Sequence, residues 1–379
     1  MLPEIVNVTW IFLCIISAGL IFSWKKNNFE TGRLSNLDGI RYILAAFVAF
    51  HHNTYLYNLA NYGKWEIQPT YKFEIFIGQF SVSMFFIISG YLFGDLNPKT
   101  DWIKFYAKRF LRIMPTYYIS ALMCFFVAIE VSVNHKTFLN NFNFIYWLDG
   151  GIINYHPSIF GYNDSVILNA GVTWTLTWEW GFYFLVPMYF TLIKKENRIP
   201  FCVAAISLLS YSIEFFRIEG SVFILLFFIG ILSRETFGMS IEIPAKNILI
   251  DIISISMFFT IVLAMNNQNP RSLIVVFAST LLFVTIINKA RWFGILSSRG
   301  FTVLGDSSYC IYLFHGTFWY LTHYICHNKE ISTNIYLLYA IQTLVWYFIC
   351  GFSIFIHKKI EIPFIRIGKN LKNSFCRIT

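Results

Sequence analysis

The chain has 379 residues, of which 56% are apolar, 20% aromatic and only 13% charged. Soluble domains carry about 25% charged residues, so the deficit excludes a soluble globular protein, and no polar stretch is long enough for a separate soluble domain. The formal net charge of +9 does not point to nucleic acid, because Lys and Arg fall in short clusters between apolar runs, as membrane topology requires.

Residues 5–24 form the first predicted span. No positive segment precedes it, and Lys25 and Lys26 follow. That order is the reverse of a cleavable signal, so the span is expected to be retained with the N-terminus outside. Further runs of near-spanning length lie at 37–58, 75–96, 112–133, 172–193, 199–215, 220–234, 247–265, 271–288, 304–325 and 335–358. They predict an all-α, polytopic integral membrane bundle of about 10–11 transmembrane helices, in a single domain over 1–379. On this topology the 29 basic residues split 23 inside to 6 outside. One missed or invented span would reverse every later loop and spoil that asymmetry, so the C-terminus is expected inside. The longest outer loop, about 134–171, is rich in Asn, Tyr, Gly and His and reads equally as a lid or acceptor platform over an outer opening or as an ordinary connector. The seven cysteines (Cys14, Cys124, Cys202, Cys310, Cys326, Cys350 and Cys376) lie singly and form no C-x-x-C pair. They read as small hydrophobes, not as a metal or redox site.

Five stretches carry polar groups that an apolar span does not need. The first is 37–52, opened by Asp38 and Arg41 and closed by His51 and His52. In a helix Arg41 and His52 stand about 16 Å apart along the axis, a fixed cation near one face and a titratable imidazole deep inside. Ionised groups at mid-span are costly and are usually functional. The second stretch, 81–92, contains Ser89-Gly90, a small pair that lets a helix or ligand approach closely. The third, 104–115, gathers Lys108, Arg109 and Arg112 just before a span. Arg109 and Arg112 share a helix face, and guanidinium forks suit phosphates. The fourth opens the span at 172–193 with Trp174 and places Glu179 about 10 Å inside, close to the depth of His52, so the two read as partners. The fifth, 304–315, offers Asp306, Ser307 or Ser308 as an N-cap and brings His315 to mid-membrane. His323 and His327 share a face but lack a third ligand, so no zinc site is read there. The Gly305-Asp306-Ser307 run enters a membrane helix directly, which excludes an esterase nucleophile. Glu361-Ile362-Pro363 is expected to stop the last span.

Taken in order, these stretches resemble the membrane acyltransferase family 3, the bacterial multi-pass acyltransferases that include O-antigen and Nod-factor O-acetylases. The resemblance rests on Asp38-Gly39-Ile40-Arg41 with His52, on Phe85 to Leu92 around Ser89-Gly90, and on Arg109-x-x-Arg112-Ile113-x-Pro115. It continues through Trp174-Thr175-Leu176 with Glu179, Ser308-Tyr309 through His315, and Glu361-x-Pro363. The motif-bearing core is 37–363; the span at 5–24 is an addition, and no fused soluble domain is expected.

The resemblance implies transfer of an acyl group, usually acetyl, from cytoplasmic acetyl-CoA to a hydroxyl of a cell-surface or lipid-linked glycan, without a metal. The expected location is the bacterial cytoplasmic (inner) membrane, with lipids, acyl-CoA and the glycan as partners. Catalytic roles are implied for His52, Glu179 and His315, and donor binding for Arg41, Ser89, Arg109 and Arg112. Asp38, Gly90, Trp174, Tyr309 and Glu361 complete the motifs. His52 is expected either to act as general base, oriented by Glu179, or to carry the acyl group itself. A glycan or lipid transporter is the rival reading; it requires polar groups in many spans, whereas here they concentrate in four.

Overall fold

Each of the eleven apolar runs forms helix in its described part. The structure, a computed structural model, describes residues 4–24, 34–94, 96–131, 142–159, 162, 165–218, 220–238, 248–264 and 272–371. Lys25, Lys26, Arg33, Lys136, Lys246, Arg271, Lys372, Arg377 and Cys376, which entered the charge and cysteine readings, lie outside the described residues, as does part of the long loop. In chain order the helices are α1 (Glu4–Ile21), α2 (Ser35–Tyr62), α3 (Lys72–Phe93), α4 (Trp102–Val131), α5 (Trp174–Leu192), α6 (Arg198–Phe216), α7 (Ser221–Phe237), α8 (Ile248–Ala264), α9 (Leu273–Ile287), α10 (Arg299–Asp306), α11 (Ser308–Asn328), α12 (Ile335–Ile356) and α13 (Ile362–Asn370). The protein is 82% helical without strands among the described residues, and five of its helical stretches are long and apolar enough to cross a bilayer. It is an all-α membrane bundle.

α2 is the central post. It packs against α3, α10 and α11, while α3 packs on α7 and α11 on α12. Nearly every residue from Leu37 to Phe50 is buried, so α2 shows no lipid-facing stripe. At the α3–α7 crossing two glycines meet: a Cβ on Gly90 would strike the Phe227 carbonyl, and one on Gly230 the Ile87 carbonyl. Without side chains there, the two backbones approach in van der Waals contact.

Helix α1 is tied into the bundle by polar bonds. Asn7 donates to the Glu74 carboxylate, and Tyr339 of α12 donates to Asn7 at 2.8 Å. Tyr42 and Trp346 donate to the carbonyls of Ile15 and Cys14.

Three local expectations change. α4 begins at Trp102, ten residues before the predicted span, so Arg109 and Arg112 lie on the helix itself, with Pro115 inside it. Ser307 does stand at the N-cap of α11, but its hydroxyl donates back to the Val303 carbonyl of α10, not forward. Pro363 does not stop the last helix. After a π-turn at His357–Glu361 the chain continues as α13, with the proline in its first turn. The N–H of Ile362, just before it, bonds back to the His357 carbonyl, so the helical path runs unbroken up to the proline.

The described part of the long loop is bonded down. Asp149 accepts from the backbone of Gly151 and Ile153 and from the Tyr117 hydroxyl, and Trp180 of α5 donates to Gly150. His156, bonded to Thr173 at 2.8 Å, is pushed below the ordinary imidazole value by burial, with Asp149 opposing.

Candidate functional site

The site grows from one face of α2. Arg41 and His52 are eleven residues apart, within about 20° of three full turns, so they project from the same side. His51, a further 100° round, turns towards α3. Its ring fills the notch left by Gly78, where any Cβ would collide with it, and its Nδ1 lies 2.6 Å from the Glu74 carbonyl. A carbonyl only accepts, so His51 Nδ1 carries a proton that is committed to the backbone.

His52 faces α11. Its Nδ1 lies 2.9 Å from Nε2 of His315, with the ring planes 16° apart. His315 is fully buried, and its Nδ1 lies 3.0 Å from the Ile311 carbonyl. These bonds fix both rings. His315 Nδ1 must carry a proton to donate to Ile311, so its Nε2 presents a lone pair. His52 Nδ1 must then donate to it, which leaves the lone pair of His52 on Nε2. The Tyr55 ring lies 6.3 Å from that of His52 and 5.1 Å from that of Trp65, on the loop after α2.

Below the paired imidazoles is a cavity of about 340 Å³. Arg41, Arg109, Arg112 and Glu179 line it, with Ser89, Ser308, Tyr309 and Tyr312. Arg41 is 3.5 Å from Asp38 one turn earlier. The Arg109 guanidinium lies 4.6 Å from the centroid of Phe93, with Phe105 and Tyr183 around it. Such an aromatic collar holds a cation while leaving its in-plane donors for an anion.

His52 and His315 do not line the cavity. Tyr312 is the partition: it lines the cavity, its ring is 6.0 Å from that of His315, and its hydroxyl donates to the Val172 carbonyl at 3.0 Å and lies 2.9 Å from that of Thr175.

The expected partnership of Glu179 with His52 is not what the structure has. Glu179 accepts a hydrogen bond from Tyr183, one turn along α5, and stands in the cavity with the arginines. Matching depth does not fix which way a helix face points, and an i,i+4 neighbour satisfied the carboxylate locally. His315 occupies the place expected for Glu179.

The remaining motif residues divide. Tyr309 lines the cavity, with its hydroxyl donating to the Ile113 carbonyl. Ser89 is in the wall, whereas Gly90 faces α7. Trp174 packs on Phe223 of α7. Glu361 lies off the cavity, accepting from His357 at 2.8 Å and from Cys310 at 3.5 Å. Those three are the group among the described residues whose donor atoms lie close enough to hold a metal, within 4.8 Å, but they already satisfy one another. Sequence reasoning missed Tyr312 as a site residue. Tyr309, Tyr312 and His315 recur every three residues, a shared face that was there to be read.

Fold and site together define a membrane enzyme whose buried imidazole pair stands over a cationic cavity. The chain belongs to the membrane acyltransferase family 3: the family model described as an acyltransferase domain matches residues 34–357. It is 27% identical over 197 residues to nodulation protein 10 of Rhizobium leguminosarum bv. viciae, an alignment covering 48% of this chain and 52% of that protein. The chain therefore spans about half the length of the curated relative it matches. No solved structure matches it.

Proposed function

We propose that this protein is an O-acyltransferase of the bacterial inner membrane that moves an acetyl group from cytoplasmic acetyl-CoA to a hydroxyl of a cell-surface or lipid-linked glycan. The observation that carries this reading is the stacking of two compartments on one helix: a cavity with three arginines and, eleven residues along α2, an imidazole whose Nε2 is free to accept a proton. Coenzyme A is polyanionic, and Arg41, Arg109 and Arg112 match its phosphates. The arginine end of the bundle faces the cytoplasm in this reading, as the charge asymmetry requires.

In the proposed reaction His52 Nε2 removes the proton of the acceptor hydroxyl as the oxygen attacks the thioester carbonyl. The C–S bond breaks, the ester C–O bond forms, and the leaving thiolate takes the proton from the His52 imidazolium. His315 holds the required tautomer throughout. The acetyl end of the donor passes Tyr312 to reach His52, and the acceptor arrives from the side of Tyr55 and Trp65. Glu179 orders the cavity arginines and does not touch the reacting atoms.

The test uses membranes containing the full chain, incubated with radiolabelled acetyl-CoA, with label followed into surface glycan. Wild type should transfer label. His52→Ala should lower transfer by about 10²–10⁴-fold, the usual contribution of a general base. Transfer by His52→Ala at the wild-type rate removes the proposal.

A further inference from the structure

Buried polar atoms without partners are rare in folded proteins, so each one needs a reason. In the cavity wall Ser308 is such a case. It is the first residue of α11, it is 1% exposed, and its hydroxyl has no hydrogen-bond partner. Its neighbours are committed: Ser307 bonds to Val303 and Tyr309 to Ile113. Ser308 lines the cavity, and its buried hydroxyl has a donor to spare.

The depth of Ser308 says what it would meet. Seven residues separate it from His315, about 10 Å of helix, and Arg41 is about 16 Å from His52. An extended chain gains about 1.2 Å per bond. In coenzyme A the phosphorus is thirteen bonds from the thioester sulfur, or about 16 Å. The farther of the two amide carbonyl carbons in the pantetheine arm is eight bonds away, or about 10 Å. With the sulfur level with the imidazoles, the phosphates fall at the arginines and that second carbonyl falls at Ser308.

We infer that Ser308 is a donor-recognition residue whose hydroxyl donates to the distal amide carbonyl of the pantetheine arm. This rests on the acyl-thioester reading of the cavity. It adds that the enzyme measures the arm itself, not only the phosphates.

The experiment compares three acetyl thioesters on wild type and Ser308→Ala in membranes. Acetyl-CoA has both amides and the phosphates, acetyl-pantetheine has both amides only, and the N-acetylcysteamine thioester has the proximal amide alone. One lost neutral hydrogen bond corresponds to roughly a 3–10-fold rise in KM. That rise is expected for acetyl-CoA and acetyl-pantetheine, with a KM ratio near one for the short thioester. The short donor also reports whether the variant is folded. Unchanged KM for the two long donors, or an equal rise for all three, overturns the assignment of Ser308 while leaving acyl transfer intact. Absence of transfer by wild type from every donor overturns the underlying reading, and the inference with it.

Discussion

Replacing His315 tests the tautomer argument at its root. His315→Leu removes the acceptor for the Nδ1 proton of His52, 2.9 Å away, and leaves the cavity lining untouched. The active tautomer loses one neutral hydrogen bond, worth about 0.5–1.5 kcal/mol, so it is depleted by roughly 2–12-fold. The expected result is a fall in kcat of that order, smaller than for His52→Ala, with KM for acetyl-CoA unchanged because His315 is outside the cavity. His315→Gln supplies an amide oxygen that can accept the same proton, so it should recover part of the loss. The readout is initial-rate transfer of labelled acetyl at several donor concentrations, which separates kcat from KM. Wild-type kcat in His315→Leu would refute the reasoning, because it would show that the proton on His52 Nδ1 needs no partner on α11.

Charge removal in the cavity should act on the other parameter. Arg109→Gln and Arg112→Gln are each expected to weaken acetyl-CoA binding by roughly 10–150-fold, since charged hydrogen bonds are worth about 1.5–3 kcal/mol, and to leave acetyl-pantetheine unaffected. Equal effects on both donors would place the arginines away from the phosphates. The glycine crossing should respond in stability. Gly90→Val drives a branched side chain into the Phe227 carbonyl, an overpacking that costs about 1–3 kcal/mol or more because backbone must move. A lower Tm in detergent checks this, and an unchanged Tm would mean that α3 and α7 do not cross there.

The helices were legible because a bilayer demands long apolar runs, and each run holds helix, although α4 starts ten residues early and the run at 304–325 is divided between α10 and α11. The arginines were legible too, since fixed charge beside a span has few places to go. The partner of His52 was not. Depth can be counted from a sequence, but azimuth depends on how α2 and α11 turn towards each other, and only packing decides that. One clue was missed through a boundary. The helical path of α10 and α11 begins at Arg299, so His315 is sixteen residues along it, and His52 is seventeen residues along α2 from Ser35. Starting the span at 304 hid that near-match. Tyr312 was hidden for another reason: an aromatic residue in a chain that is one-fifth aromatic attracts no notice until its hydroxyl has named partners.

The stitching of α1 reaches beyond its own segment. The family match begins at residue 34, yet the buried Glu74 carboxylate draws its amide donor from Asn7, which lies upstream of the matched region. The acidic group at the start of α3 would lose that donor and its cover if the first helix were trimmed away. A minimal version cut at the family boundary would therefore leave a carboxyl group without its buried partner. Poor yield of such a truncation would report that loss of shelter, not damage to the acyl-transferring end of the molecule.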